Sequence, residues 1–259
     1  MLTVIKIGGN IIDDADKLHA FINDFSKIEG PKILVHGGGK LATEMGLKLN
    51  IQPNYIDGRR ITDKETLKLV TMVYGGLINK NIVAGLQAVG CNAIGFTGAD
   101  ANIIKAIKRP IKDVDYGFVG DVMESGIEPK MLTTLLGLGL VPVMAPLTHD
   151  GNGSILNTNA DTIAQEIAKT MATIMNVQLI YCFEKNGVLL NAEDDNSVIK
   201  QINTFDFEKL TDDGIISGGM IPKIKNACDA VRSGVGRVVI GNAIYLSDIL
   251  KGNSGTAIQ

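Results

Sequence analysis

Apolar runs rich in β-branched residues alternate along the chain with segments whose apolar positions recur at helical spacing. A helix through Leu49 follows the second run, and Asp63 is a plausible N-cap for a long helical pattern that opens near Thr66 and continues towards Val89. The predicted strands are Thr3–Ile7, Lys32–Val35, Asn92–Phe96, Leu140–Ala145, Val177–Phe183 and Arg237–Ile240. The other predicted helices are Asp16–Lys27, Pro129–Leu138, Ala160–Thr173 and segments near 205–212 and 219–233. This alternation predicts an α/β fold with a mainly parallel central sheet sandwiched by helices.

Two segments depart from this alternation. Residues 102–124 alternate without helical period, and residues 151–157 are rich in Gly and Asn. We expect short antiparallel strands in the first and a hairpin in the second. Because no linker or low-complexity tract divides the chain, we expect a single domain over 1–259, with an N-terminal lobe of 1–175 and a C-terminal lobe of 176–259.

Composition and charge exclude several classes of protein. The 259 residues include 25 basic and 28 acidic ones, for a net charge of −3, and no basic block that nucleic acid would require. The longest apolar stretch, Leu135–Leu147, falls short of the about 20 residues of a membrane span, and the N-terminus has no secretory pattern. The widely spaced Cys91, Cys182 and Cys228 are typical of reduced thiols. We therefore expect a cytoplasmic protein that binds neither nucleic acid nor membrane.

Two glycine-rich turns each follow a predicted strand and precede a helical segment. They are Gly8-Gly9, two residues after Lys6, and Gly37-Gly38-Gly39. Glycine at such a turn lets the backbone approach a phosphate, and the following helix offers free N–H donors; the alternative is that the glycines only make tight turns. Neither turn has the spacing of a Walker A loop or of a dinucleotide fingerprint, which argues against P-loop NTPases and nicotinamide dehydrogenases.

Six segments together resemble the amino acid kinase family, and within it the acetylglutamate kinases. They are Lys6-Ile7-Gly8-Gly9-Asn10, His36-Gly37-Gly38-Gly39, Gly58-Arg59-Arg60-Ile61-Thr62, Asn157-Thr158-Asn159-Ala160-Asp161, Ser217-Gly218-Gly219-Met220-Ile221-Pro222-Lys223 and Gly255-Thr256. The segments follow the family order over almost the whole chain. The resemblance implies a carbamate-kinase-like fold in two lobes.

The resemblance also implies an activity. It is the ATP-dependent phosphorylation of the γ-carboxylate of N-acetyl-L-glutamate, the second step of arginine biosynthesis. ATP would arrive with Mg²⁺ held by its phosphates and by water, since no dedicated metal cluster is visible. Three alternatives stay open: N-succinylglutamate as substrate, with Lys40 or Arg59 as a cation for the added charge; another substrate of the family, such as an aminoadipate derivative, glutamate, carbamate or UMP; and a non-catalytic amino-acid or nucleotide sensor.

Three residues carry the catalytic role that the resemblance implies. Lys6 and Lys223 would stabilise the transferring phosphoryl group from opposite sides, because phosphoryl transfer depends on positioning and charge neutralisation. Asp161 would hold both ammonium groups in place. The alternative for each lysine is an ordinary surface position. The alternative for Asp161 is a helix N-cap or an acid in the first turn of a helix. No partner is visible for catalysis by His19, and the same is true of the other two histidines.

The substrate and nucleotide residues come from the same matched segments. Arg60, rather than Arg59, would grip a substrate carboxylate bidentately. Phe183 and Glu184 stand where the family has a small polar residue and an Asp. The residues expected to bind the acylamino acid are Arg60, Asn157, Asn159 and the backbone N–H groups of Gly37 and Gly38, which would cradle either the γ-phosphate or the substrate side chain. The residues expected to bind ATP are Gly8, Gly9, Glu184, Gly187, Ile215, Ile216 and Ser217.

The long helical pattern between Asp63 and Val89 has apolar residues on more than one face, among them Val70, Leu77 and Leu86. Such a helix suits contact with its own sheet and with a symmetry mate, although it could also be buried within one subunit. Arginine-inhibited members of the family carry an additional N-terminal helix, and here only two residues precede the strand that leads to Lys6. We therefore expect an arginine-insensitive homodimer.

Overall fold

The computed structural model describes residues 1–56, 58–191, 193–216, 218 and 220–259. Its strands are β1 (Leu2–Ile7), β2 (Lys32–His36), β3 (Tyr55–Ile56), β4 (Arg59–Arg60), β5 (Ala93–Phe96), β6 (Ile104–Lys108), β7 (Gly120–Ile127), β8 (Val141–Met144), β9 (Leu147–His149), β10 (Ile155–Asn157), β11 (Val177–Phe183), β12 (Gln201–Ile202), β13 (Arg237–Asn242) and β14 (Thr256–Ile258). Its α-helices are α1 (Gly9–Ile12), α2 (Ala15–Ser26), α3 (Gly39–Lys48), α4 (Lys64–Val70), α5 (Asn79–Ala88), α6 (Pro129–Gly137), α7 (Ala160–Ala172), α8 (Phe207–Asp212), α9 (Met220–Arg232) and α10 (Leu246–Lys251). Short 3₁₀ turns occur at Asp100–Asn102 and Ala243–Tyr245.

The central sheet has eight strands in the order β12-β14-β13-β11-β1-β2-β8-β5. All neighbouring pairs are parallel except β13 and β14. The predicted mainly parallel sheet between helices is therefore confirmed. Because β1 lies between β11 and β2, the sheet runs without interruption from the first half of the chain into the second.

A second sheet, in the order β10-β9-β6-β7, contains most of the two segments, 102–124 and 151–157, that depart from the strand–helix alternation. Strands β6 and β7 are antiparallel, and β9 and β10 form a hairpin, as predicted. The sequence pattern misses the two-residue hairpin of β3 and β4, the two-residue strand β12, the single turn α1, the six-residue helix α10 and the last strand β14. These elements are too short to show a periodicity of their own.

Alternation along the buried strands divides the core into two layers. On β1, Leu2 and Val4 belong to the layer covered by α7 and α9, and Ile5 and Ile7 belong to the layer on the other face of the sheet. This period places Lys6 on the face of Leu2 and Val4, at the carboxyl end of the strand. In open α/β sheets ligands bind at that end.

The helical pattern after Asp63 forms one long helix, Lys64–Ala88, in which a π-helical segment at Thr71–Ile78 joins α4 to α5. The Asp63 side chain accepts a hydrogen bond from the Thr66 N–H, so the predicted N-cap is confirmed. By length and composition alone the helix could cross a membrane, with a mean hydropathy of 1.3 over its most apolar window. Here its buried apolar residues, including Leu69 and Ile82, pack in the same core layer as Ile5 and Ile7.

Candidate active site

Lys6 and Asp161 form a buried ion pair at the carboxyl edge of the sheet. Lys6 Nζ lies 2.8 Å from Asp161 Oδ1, and the two side chains are 8% and 13% exposed. Asp161 is placed by the first turn of α7, whose N-cap is Asn159; the Asn159 Oδ1 accepts from the N–H groups of Asp161 and Thr162. Asp161 is thus a first-turn acid and not the cap.

Lys223 reaches the same place from the C-terminal half of the chain. It lies in the first turn of α9, and its Nζ is 3.7 Å from the centroid of the Phe183 ring. Lys6 Nζ lies 5.5 Å from the same centroid. The two lysines and Asp161 therefore meet around one ring, although they are far apart in the sequence.

Burial and charge oppose each other at this centre. Burial alone would raise the pKa of Asp161, but Lys6 and Lys223 overcome it and hold that pKa below its usual value. Burial lowers the pKa of Lys223, a shift that Asp161 opposes and the like charge of Lys6 reinforces. The Asp161 carboxylate thus faces two ammonium groups, and Glu184 adds a weaker negative influence on Lys223.

A cavity of about 350 Å³ opens beside the lysines. Four of the residues expected at the nucleotide line it, namely Gly8, Gly9, Glu184 and Gly187, together with both lysines. Ile215 and Ile216 are not among its lining residues, and the Ile216 side chain is buried in the core, so any nucleotide contact of Ile216 would use its backbone. Ser217, the remaining residue of this group, lies outside the described residues.

The second glycine turn continues the pairing of β1 with β2. The Gly37 N–H donates to the Ile7 carbonyl at 2.9 Å, and contact of Gly37 with a ligand stays a prediction. Gly38, at φ 146°, has a buried position where a Cβ would lie 2.2 Å from Ile78 Cδ1. Only glycine fits there. In the described part of the chain the Gly38 N–H has no acceptor, so it stays available to an anion.

The buried His36 side chain supports this turn from the core side. Its Nδ1 lies 2.8 Å from the Gly37 carbonyl oxygen, and its Nε2 lies 3.1 Å from the Asn79 Nδ2. Nδ1 therefore carries the proton and donates, and Nε2 accepts. Because a trans peptide points its C=O and the next N–H in opposite directions, this bond turns the Gly38 N–H away from His36. Burial lowers the pKa of His36 to about 4, so the ring is neutral near pH 7.

Arg60 lies buried on the β3–β4 hairpin. Its Nη2 donates to the Gly39 carbonyl at 2.9 Å and to the Thr43 Oγ1 at 2.7 Å, and its guanidinium lies 4.8 Å from the centroid of the Tyr55 ring. Arg59 is exposed. Sequence reasoning missed Thr43 and Tyr55; the i, i+4 spacing of Gly39 and Thr43 at the start of α3 was a signal that could have found the first.

The two glycine turns and the Asn157 segment connect these groups. A Cβ at Gly37 would lie 3.8 Å from the Gly8 Cα, so the turns are in contact. The Asn157 Nδ2 donates to the Thr62 Oγ1 at 3.0 Å, which ties β10 to the residues after Arg60. Asn157 is half-buried and Asn159 is exposed as the cap of α7; their predicted contacts with substrate stay predictions.

A second cavity, of about 400 Å³, lies at the opposite end of the strands, where β2 and β8 begin. Its titratable lining residue in the described chain is Lys32, whose Nζ donates to the carbonyls of Ser26 and Ile28. The lysines with predicted catalytic roles therefore line the smaller cavity. No group of three or more His, Cys, Asp or Glu that could hold a metal occurs in the described ranges.

Comparison with known proteins shows the family of the chain. The profile of the "Amino acid kinase family" matches residues 1–242. The chain belongs to the amino acid kinase family. This amino acid kinase is 55% identical over 258 residues to the acetylglutamate kinase of Bacteroides thetaiotaomicron, which covers the whole of this chain and 98% of the relative. It is 37% identical to the acetylglutamate kinase of Methanopyrus kandleri over the full length of both.

Among solved structures, the carbamate kinase of Giardia lamblia bound to AMP-PNP superimposes on this amino acid kinase with a TM-score of 0.72, covering 99% of this chain and 97% of the other. At 17% identity the likeness shows the shared fold alone.

Proposed function

We propose that this amino acid kinase transfers the γ-phosphoryl group of ATP to the γ-carboxylate of N-acetyl-L-glutamate, the second step of arginine biosynthesis. The observation that carries the proposal is the meeting of Lys6, Asp161 and Lys223 at the carboxyl edge of the sheet. The identity to acetylglutamate kinases over the whole chain supports this choice of acceptor.

The chemistry needs charge neutralisation more than proton transfer. The acceptor carboxylate is already ionised at neutral pH, so no general base is required. Lys6 and Lys223 neutralise the charge that gathers on the transferring group, and Asp161 fixes the Lys6 ammonium. His36 is neutral and donates to the Gly37 carbonyl, which makes it a support of the turn.

In this proposal each lobe supplies most of the contacts to one substrate. Residues 176–259 supply most of the nucleotide contacts, with Glu184 and Gly187 at the cavity and Lys223 at the phosphates, and Gly8 and Gly9 complete the nucleotide site from the N-terminal lobe. Residues 1–175 bind the acylamino acid, with Gly38, Arg60 and the Asn157 segment around it. Mg²⁺ arrives on the ATP phosphates, since Asp161 is engaged with Lys6 and a hard cation of this kind keeps several waters.

Arg60 grips a carboxylate of the substrate. Both of its hydrogen bonds to protein use Nη2, and a guanidinium has five N–H donors in a planar fork. The Tyr55 ring and the Thr43 hydroxyl hold the plane of the fork, which favours a bidentate contact.

The protein acts as a cytoplasmic homodimer in this proposal. Met72 and Leu77, on the π-helical segment of the long helix, are 57% and 43% exposed, which favours contact with a second copy. The three cysteines are buried as free thiols, which suits a reducing compartment. Light scattering tests the assembly: a mass of twice 27.6 kDa supports it, and a monomer contradicts it.

A coupled assay of ADP release tests the function. The acceptors are N-acetyl-L-glutamate, N-succinyl-L-glutamate, N-acetyl-L-aminoadipate, L-glutamate, carbamate and UMP. We expect the highest kcat/KM with N-acetyl-L-glutamate. A clear preference for the succinyl compound would correct the acyl group, and preference for an acceptor without an acylated glutamate would reject the proposal. Saturable binding of acceptor without ADP release would show a sensor.

A further inference from the structure

Phe183 ends strand β11 with its ring on the catalytic face of the sheet. Tyr181, two residues earlier, points to the same face, and the two rings are stacked with centroids 6.3 Å apart and 10° between planes. Lys6 is the register partner of Tyr181 across β1 and β11. The Tyr181 hydroxyl in turn donates to the backbone carbonyl of Asp161 at 3.3 Å. The aromatic pair therefore joins the helix that carries Asp161 to the place where Lys223 lies.

Both catalytic ammonium groups lie within the range of a cation–π contact with the Phe183 ring. An aromatic face attracts a cation within about 6 Å of its centroid, most strongly when water is excluded. Lys223 Nζ is at 3.7 Å and Lys6 Nζ at 5.5 Å. Asp161 pairs with Lys6 and not with Lys223 among the described ion pairs. The ring is accordingly the group in direct contact with the Lys223 ammonium.

We propose that Phe183 is a positioning residue for phosphoryl transfer, whose ring face holds the Lys223 ammonium beside Lys6 at the mouth of the nucleotide cavity. The proposal rests on the proposed function. A neutral ring suits this task because it attracts the cation without cancelling its charge. A carboxylate in the same place would hold Lys223 equally well but would remove the positive charge that the transferring group needs.

The alternative task for this ring is to line the nucleotide cavity, since Phe183 is one of its lining residues. A wall residue would affect the binding of ATP, whereas a residue that holds Lys223 affects the chemical step. The short distance to Lys223 favours the second task, because the ammonium covers the face that a nucleotide would otherwise contact. The two tasks therefore differ in which kinetic constant changes.

Phe183→Leu and Phe183→Tyr form the test pair, with Phe96→Leu as matched control. Leucine keeps an apolar side chain without a ring face, and tyrosine keeps the face. Phe96 is a partly buried phenylalanine on β5, an edge strand that β1, β2 and β8 separate from β11, so its replacement reports the general cost of losing a ring. Thermal unfolding of each variant shows whether it is folded under the assay conditions.

We expect Phe183→Leu to lower kcat about 10-fold, with the KM for ATP changed by less than about 3-fold, and Phe183→Tyr to restore most of the loss. The charged groups that face Lys223 are Asp161, Lys6 and Glu184, and all of them stay in place in these variants. Loss of the ring face disfavours the ammonium form, so the alkaline limb of kcat should move to lower pH in Phe183→Leu and not in the other two variants.

A second readout does not depend on the acceptor. The pKa of Lys223, followed by NMR of ¹³C-labelled lysine and assigned with Lys223→Arg, should fall in Phe183→Leu and stay near that of the unchanged protein in Phe183→Tyr. An equal pKa in all three proteins, or a loss confined to the KM for ATP, would overturn the proposal. If the unchanged protein fails to phosphorylate N-acetyl-L-glutamate, the proposed function fails, and this titration still decides the role of Phe183.

Discussion

Two regions hold their positively charged side chains by different means: the lysine centre, made of Lys6, Asp161 and Lys223, and the Arg60 clamp, made of Arg60 with Gly39, Thr43 and Tyr55. At the lysine centre, Lys6 is paired with the buried Asp161, and Lys223 lies on the Phe183 ring. At the clamp, Arg60 is held by a carbonyl, a hydroxyl and the Tyr55 ring, with no ion pair in the described residues. The first region depends on charges brought together from distant parts of the chain, and the second on neutral acceptors supplied mostly by residues 39–60.

This difference separates two kinds of effect. A cation that is balanced by other charges in a dry site acts on charge that develops during the reaction, so its loss should lower kcat. A cation held by neutral acceptors keeps its charge for a substrate that is already an anion, so its loss should raise KM. Variants of the two regions should therefore change different kinetic constants.

Lys223→Ala gives the largest expected effect. Removing a cation from the reacting phosphoryl group should lower kcat by about 10²-fold or more, with little change in the KM for N-acetyl-L-glutamate. Steady-state kinetics with both substrates measure it, and Lys225→Ala, two residues further along α9, is the matched control. Near-normal turnover in Lys223→Ala would remove this lysine from the catalytic role.

The pH dependence of folding stability tests the role of His36, which supports the glycine turn between the two regions. Its folded pKa, about 4, lies below that of a solvated histidine, about 6.5, because the ring is buried. As pH falls below about 6.5 the unfolded chain takes up the proton first, so stability is complete above that pH and is lost towards pH 4. The free energy of unfolding should fall by about 2 kcal/mol from this source between about pH 8 and pH 5.

Denaturant unfolding of His36→Asn checks this prediction. Asparagine keeps a donor near the Nδ1 position without the titration, so the variant should lack this part of the pH dependence. His19→Gln replaces an exposed histidine on α2 and should keep it. An identical pH dependence in His36→Asn and the unchanged protein would show that His36 is not the titrating group.

Arg60→Lys gives the smallest effect of the three. A lysine keeps the charge but loses the bidentate fork and the planar contact with Tyr55, so the KM for the acylamino acid should rise about 10-fold. The KM for ATP and kcat should stay near their original values. A rise in the KM for ATP instead would place Arg60 at the nucleotide and end the contrast between the two regions. Arg59→Lys, at the exposed neighbour, serves as control.

The members of the lysine centre were predicted from the resemblance to the amino acid kinases, because periodicity alone would leave Lys6 and Lys223 as surface lysines. The elements that carry them are regular: Lys6 lies near the end of a buried strand, and Asp161 and Lys223 lie in the first turns of two helices.

The clamp could not be predicted to the same depth. Arg60 was expected from its motif, but the hairpin that carries it has two residues in each strand, too few for a periodic signal. Its contacts with Thr43 and Tyr55 depend on how the hairpin folds over α3. The sequence also does not reveal that the pairing of β1 and β2 extends to a hydrogen bond from the Gly37 N–H to the Ile7 carbonyl.

Trapping of the product with hydroxylamine tests the central claim most directly. An acyl phosphate formed on the γ-carboxylate of N-acetyl-L-glutamate reacts with hydroxylamine to give a γ-hydroxamate. The proposed reaction predicts one hydroxamate for each ADP released, and none when the acceptor is omitted or its γ-carboxylate is replaced by an amide. ADP release without hydroxamate, or release that does not depend on the acceptor, would contradict phosphoryl transfer to a carboxylate at the Lys6–Asp161–Lys223 centre.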